Sequence, residues 1–254
     1  MFVYDETLVQ TNTSEYIKLS LNIDFLKNNK LYAGVDKVGW LCGDYCLYLM
    51  MIECPAYEGY WLIEDDAFIR YEDLRAFFEK PIALGVDFLI GRLNRAHKHW
   101  KFINACKQYF GISEVFIALF SIVYISKECC QKAFLERIKY VQYYSLNGCN
   151  QLFLNDEAFM VNAGFMKNYN VITLNHLYSD ISYDCYNFSS ISVITKISQD
   201  FNNINNGLYH PIVFRNFNII DYYRRLKKIA NKRNSYKKEL FKELIYCLTI
   251  CRRK

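Results

Sequence analysis

At 254 residues, with 52% hydrophobic and 22% charged letters and only 3 Pro and 10 Gly, the chain has material for a substantial core, which excludes intrinsic disorder and a collagen-like fibre. The formal charge of +5 is unevenly placed: residues 223–254 hold twelve Lys or Arg against Glu239 and Glu243, a net of +10 that leaves −5 for residues 1–222. No apolar run reaches the roughly 18 residues of a membrane-spanning helix, and MFVYDETLVQ lacks the basic-then-apolar pattern of a secretion leader, so a cytoplasmic chain is expected.

In chain order, FVYD at the start reads as a short strand ending in an acid, and residues 14–29 as a helix or ordered loop with Thr13 or Ser14 as N-cap. Residues 37–40 read as a brief strand. Gly43 and Asp44 then open an apolar helix, DYCLYLMMIE, which stops before Pro55. GYWLIE is a compact strand running into Asp65 and Asp66. The segment after Tyr71 predicts a short amphipathic helix ended by Pro81, followed by a buried strand in VDFLIGRL. Residues 116–125 read as one strand, Ser126 caps a helix over about 127–144, Asn155-Asp156-Glu157 opens another, and NVITL is a strand. Residues 179–206 are polar and Asn/Ser-rich, a long surface loop, after which GLYHPIVF leads into a basic tail of two helices. Alternating strands and helices predict an α/β fold: a single domain over residues 1–215 with a basic helical tail over 216–254.

The ten cysteines are scattered without a Cys-x-x-Cys pair, and Cys42/Cys46 and Cys247/Cys251 have helix-face spacing, so reduced core thiols are expected rather than a disulfide framework or a zinc site. P-loop, dinucleotide-fingerprint and serine-hydrolase signatures are absent. What remains is acidic. Glu64, Asp65 and Asp66 sit where an apolar strand ends, the place at which open α/β sheets bind ligands, and acids there can hold a hard divalent cation against phosphate oxygens; equally, they can cap a following helix. Asp156 and Glu157 at a helix start suit a general base or simply the helix dipole. His210 can complete a metal site with the acids or be a loop histidine. His97 and His99 lie in a basic polar stretch and read as surface residues, and His176 receives no role.

In order, the segments WLCGDYCLY, YWLIEDDAFI, FIALFSIVYIS, NDEAFMVNAGF and GLYHPI resemble a group of bacterial glycosyltransferase-like proteins with a GT-A-type nucleotide-sugar-binding fold, over roughly residues 1–215. That resemblance implies a mixed, mostly parallel sheet flanked by helices, and transfer of a sugar from a nucleotide-sugar donor to a glycan or lipid-linked acceptor in surface-polysaccharide synthesis, such as lipopolysaccharide or capsule. It implies donor contacts from Asp44, Glu64, Asp65 and Asp66, a divalent metal, manganese or magnesium, on Glu64, Asp66 and His210, and an acceptor-side acid at Asp156 or Glu157. The chain departs from the family pattern by starting one strand late, at FVYD, and by opening its acidic motif on Glu rather than Asp. An inactive remnant is the reading those departures carry. The basic tail suits peripheral attachment to an anionic membrane surface on the cytoplasmic side; its interleaved Tyr222, Tyr223 and Tyr236 also leave open a binding protein acting on nucleic acid.

Overall fold

The computed structural model describes residues 2–8, 10, 17–147, 152–183, 186 and 206–210. The basic tail, most of the polar stretch 179–206, and Cys149, Cys185, Cys247 and Cys251 lie outside the described residues. The chain divides into two compact units, one of Met1–Glu64 with Asp73–Ser179 and one of Asp65–Glu72 with Asp180–Lys254.

The first unit holds β1 (Phe2–Asp5), β2 (Lys18–Leu21), α1 (Ile23–Asn28), α2 (Val38–Leu41), α3 (Asp44–Glu53) and β3 (Gly59–Ile63). Its second segment adds α4 (Leu74–Ala83), β5 (Phe88–Ile90), β6 (Leu93–Arg95), α5 (Ile103–Phe110), β7 (Phe116–Ala118), β8 (Ile122–Ser126), α6 (Lys127–Leu146), α7 (Asp156–Met166), β9 (Val171–Thr173) and α8 (Leu174–Leu177); the second unit contributes β4 (Phe68–Arg70) and β10 (Gly207–Tyr209). The fold is α/β, and its main sheet has the order β3-β8-β5-β9. The expectation of a mostly parallel sheet is corrected: β8 pairs antiparallel with both β3 and β5, and only β5–β9 is a parallel ladder. The cause is β8, which returns through the middle of the sheet. β3, β5 and β9 nevertheless all run the same way, so their carboxyl ends share one edge.

Strand alternation puts helices on both faces. From β3, Tyr60 and Leu62 face α3, with the Tyr60 hydroxyl donating to Cys54 O and Leu62 lying against Gly43. Trp61 points the other way, into the rings of Phe77, Phe78 and Tyr124. The first face is closed by α3, α6 and α7, whose buried residues form the main core with Val123 and Ile125 of β8. Helix boundaries follow local capping. Asn22, Asp73, Ser126 and Asn155 each accept from a backbone N–H in the first turn; of the span 14–29 expected as a helix or ordered loop, residues 18–21 are β2 and the helix begins after Asn22, while Thr13 and Ser14 lie outside the described residues.

Three local expectations change. Residues 37–40 form no strand: Lys37 adopts φ 58° and the chain turns into α2. Residues 116–125 are two strands. Leu89 and Leu93 pair with Tyr124 and Ala118, so the return strand carries two more residues over the same interval, and the surplus bulges out at residues 119–121. Pro81 does not end α4, which continues to Ala83. A proline there removes the N–H that would bond to the carbonyl four residues back; that carbonyl, on Phe77, accepts instead from the Tyr178 hydroxyl at 2.5 Å, with the two rings stacked at 4.2 Å. Lys80 donates to Leu177 O (2.8 Å), fastening α4 to α8 a second time. Tyr178→Phe is expected to cost about 1 kcal/mol, the usual net value of one hydrogen bond, read as a lower urea midpoint; no change would mean that this bond does not support the proline turn.

Among the described residues the six cysteines are free thiols, and no helix is long and apolar enough to cross a membrane. His97, His99 and His176 are exposed.

Candidate functional site

In the first unit, acids from four segments gather where strands end and helices begin. Asp5 closes β1, Asp44 opens α3, Glu64 follows β3 and Asp156 opens α7. All four carboxylates bear on one thiol, Cys46, which burial first and then their charges push up to about 12. The bulge at residues 119–121 sets one of them: Ser121 O accepts the Glu64 N–H at 2.9 Å, which fixes the turn out of β3. Two glycines allow the close approach. A Cβ on Gly39 would overlap the Asp5 carboxylate, and one on Gly43 would lie 2.7 Å from Asp156 Oδ2. Gly43 also donates its N–H to that oxygen (2.8 Å), so Asp156 ties the start of α7 to the start of α3.

The acids are not equivalent. Asp44 is fully buried and paired with Arg137, Nε to Oδ2 at 2.7 Å, and neither side chain has solvent exposure. Arg137 also donates from Nη1 to Leu154 O (2.8 Å), and the Phe159 ring lies 3.8 Å from Cζ. The donor contact expected of Asp44 is thereby corrected: its carboxylate is committed to the core. Sequence reasoning missed Arg137, although a signal existed, because Arg137 falls on the same helical stripe as the buried Ala133, Tyr140 and Val141. A charge on an apolar stripe calls for a buried partner.

Asp156 is 5% exposed and holds two N–H groups, from Gly43 and from Glu157 (2.7 Å). That leaves Glu157, half-buried one position further on and approached by Asn155 Nδ2 at 3.3 Å, as the acid at this helix start with open surface. Burial, then the charges of Asp44 and Glu157, raise the Asp156 carboxyl well above the aspartate range against the pull of its two N–H bonds. A folded chain that holds this proton more tightly than the unfolded one gains stability that is full below the unfolded value of about 3.9 and lost as pH rises through the folded value. Asp156→Asn is expected to remove that slope, so the stability difference between wild type and variant should shift in the variant's favour from pH 4 to pH 8 in urea titrations. A pH-independent difference would contradict the raised value.

The second unit holds the other candidates. β10 pairs antiparallel with β4, matching Tyr209 with Phe68 and Leu208 with Ile69, and Ser182 bridges to Gly207 and Tyr186 to His210. This ladder places His210 opposite the residues that lead into β4. His210 Nε2 lies 3.4 Å from Asp66 Oδ1, with the histidine side chain 12% exposed and the aspartate 41%. The Tyr186 ring meets the imidazole edge-on, with ring centroids 6.1 Å apart. Asp65 is exposed. An imidazole nitrogen and a carboxylate oxygen at 3.4 Å match two neighbouring ligands of a cation with bonds of about 2.1 Å. The donor chemistry, one borderline nitrogen and one hard oxygen, suits manganese or zinc better than calcium. Glu64 is exposed and belongs to the first unit.

Comparison of the chain with protein-family models, with curated proteins and with solved structures returned no match.

Proposed function

We propose that the chain is a glycosyltransferase that moves a sugar from a nucleotide-sugar donor to a glycan or lipid-linked acceptor of the cell surface. The observation that supports this reading is the Asp66–His210 pair: two residues remote in sequence, both named as metal candidates from the sequence, lie at ligand spacing within the second unit. Asp66 and His210, with Asp65 adjacent in the second unit, would hold the cation and the donor diphosphate. When bound, the cation supplies charge neutralisation of the departing nucleoside diphosphate.

The rest belongs to the chain's own groups. Glu157 takes the proton of the acceptor hydroxyl as that oxygen bonds to the anomeric carbon and the bond from that carbon to the diphosphate breaks. Asp156 and Asp44 hold the α7 and α3 N-termini in register, which supports the position of Glu157. The basic tail, with its net +10, suits docking on anionic lipid, at about 1 kcal/mol per basic residue near the surface.

Titration calorimetry of the folded chain against UDP, GDP and CMP, each with and without manganese, tests the reading. Manganese-dependent binding of one nucleotide is expected; no binding by any of them would overturn it in favour of an inactive relative. Glu157→Gln is expected to lower turnover by about 100-fold or more with donor affinity kept, and a matching loss of donor affinity would remove Glu157 from the base role.

A further inference from the structure

The first unit carries a run of exposed basic side chains outside the acidic cluster. Between Phe88 and Ser113 the sequence has no Asp or Glu but holds Arg92, Arg95, Lys98, Lys101 and Lys107, within a body that is otherwise net acidic. The histidines His97 and His99 stand in the same stretch, and Arg95, His97, Lys98, His99 and Lys101 are all exposed. Arg95 is held by Glu114 at 3.0 Å, and Lys101 lies over the Phe102 ring at 4.6 Å. Long basic side chains are therefore displayed on an ordered scaffold.

The topology says where that scaffold points. β5 and β3 run the same way with β8 between them, so Gly91, at the end of β5, leaves the sheet on the same edge as Glu64. Two strand spacings separate those ends, on the order of 10 Å, the span of two or three sugar rings. From that edge the β6–β7 ribbon continues outward: Gly91 donates to Leu119 O, Leu119 to Arg92 O, and Ala96 to Val115 O. The basic residues thus begin at the acidic strand ends and run away from them, with nothing acidic along the strand and loop themselves.

We propose that this strand and loop, residues 92–101, form the seat of the acceptor, and that the acceptor is an anionic saccharide whose carboxylate or phosphate groups meet Lys98 and Lys101. Charge complementarity commits the surface to an anion, and the length of strand and loop over which the basic residues are spread commits it to an extended one. The inference rests on the glycosyltransferase reading for the word acceptor, while the anion-binding surface itself is testable without it.

The probe is a hexamer of galacturonate, with its fully methyl-esterified form as the uncharged match, titrated into the wild-type chain and into Lys98→Glu/Lys101→Glu. The wild type is expected to bind the charged hexamer in a salt-sensitive way and not the ester. The double variant should lose at least tenfold in affinity, with an unchanged melting temperature and unchanged manganese-dependent nucleotide binding. Equal binding of the ester, undiminished binding by the double variant, or no binding at all would overturn the proposal. So would tighter binding of single-stranded DNA that the same substitutions abolish, since that assigns the surface to nucleic acid. If nucleotide binding fails while the charged hexamer still binds and the variant loses it, the transferase reading falls and the anionic-saccharide surface stands. As a guard against a variant that does not fold, the milder Lys98→Gln/Lys101→Gln is expected to show the same loss at smaller size.

Discussion

Arg137→Leu is expected to lower the unfolding free energy by about 3–5 kcal/mol, a large share of the roughly 5–15 kcal/mol by which an ordinary domain is stable. The magnitude follows from what the substitution strands rather than from what the pair contributes. Asp44 and Arg137 are both without solvent exposure, and the guanidinium is also the donor to Leu154 O and the cation against Phe159. Removing it leaves a carboxylate without solvent exposure in the buried core, where desolvation is several kcal/mol. Removing both charges is a different experiment. Asp44→Leu/Arg137→Met exchanges the pair for apolar groups and is expected to recover most of the lost stability, because a buried ion pair and a well-packed apolar pair are of similar worth. Guanidinium denaturation of the two variants reads this directly. A single variant within about 1 kcal/mol of wild type would mean that the pair is not sealed from water.

Asp66→Asn has the opposite profile. The carboxylate is 41% exposed and its ion pair with His210 is of the kind worth about 1 kcal/mol or less, so the melting temperature should move by no more than a few degrees. Its effect on function should be large: an amide keeps the shape but loses the charge that binds a hard cation, and manganese-dependent nucleotide affinity is expected to fall by about 100-fold, roughly 2.7 kcal/mol. His210→Gln should lose affinity in the same assay with similarly little effect on folding. A large stability loss in Asp66→Asn with nucleotide affinity kept would make Asp66 a strand-ladder residue and not a ligand.

The contrast between those two aspartates shows how much was legible in the sequence. Local chemistry was readable: Ser126 and Asn155 announce their helices because a cap is satisfied within three residues, and GYWLIE is a strand because its pattern alternates. Asp66 and His210 could be nominated from residue type and place. Their grouping was proposed there too, but the geometry that sets it was not legible, since it depends on the β4–β10 ladder, which joins segments far apart in the chain. Asp44 was misread for the same reason: nothing near it in sequence reveals Arg137, which arrives from the middle of α6. Pro81 is the third instance. A proline is a sound stop signal until a tyrosine nearly a hundred residues away fills the acceptor it leaves open. The mostly parallel sheet implied by the resemblance failed likewise, because no local signal in the sequence reveals that β8 returns between β3 and β5.

The cation at Asp66 and His210 is the central claim, and paramagnetic titration tests it most directly: manganese is added to the wild-type chain and to Asp66→Asn, and the free aquo ion is followed by its electron paramagnetic resonance signal. The account predicts that the wild type removes one manganese per chain from the free pool and that Asp66→Asn binds it at least tenfold more weakly while remaining folded. Manganese left free by a folded wild-type chain, or bound equally well by Asp66→Asn, would contradict it.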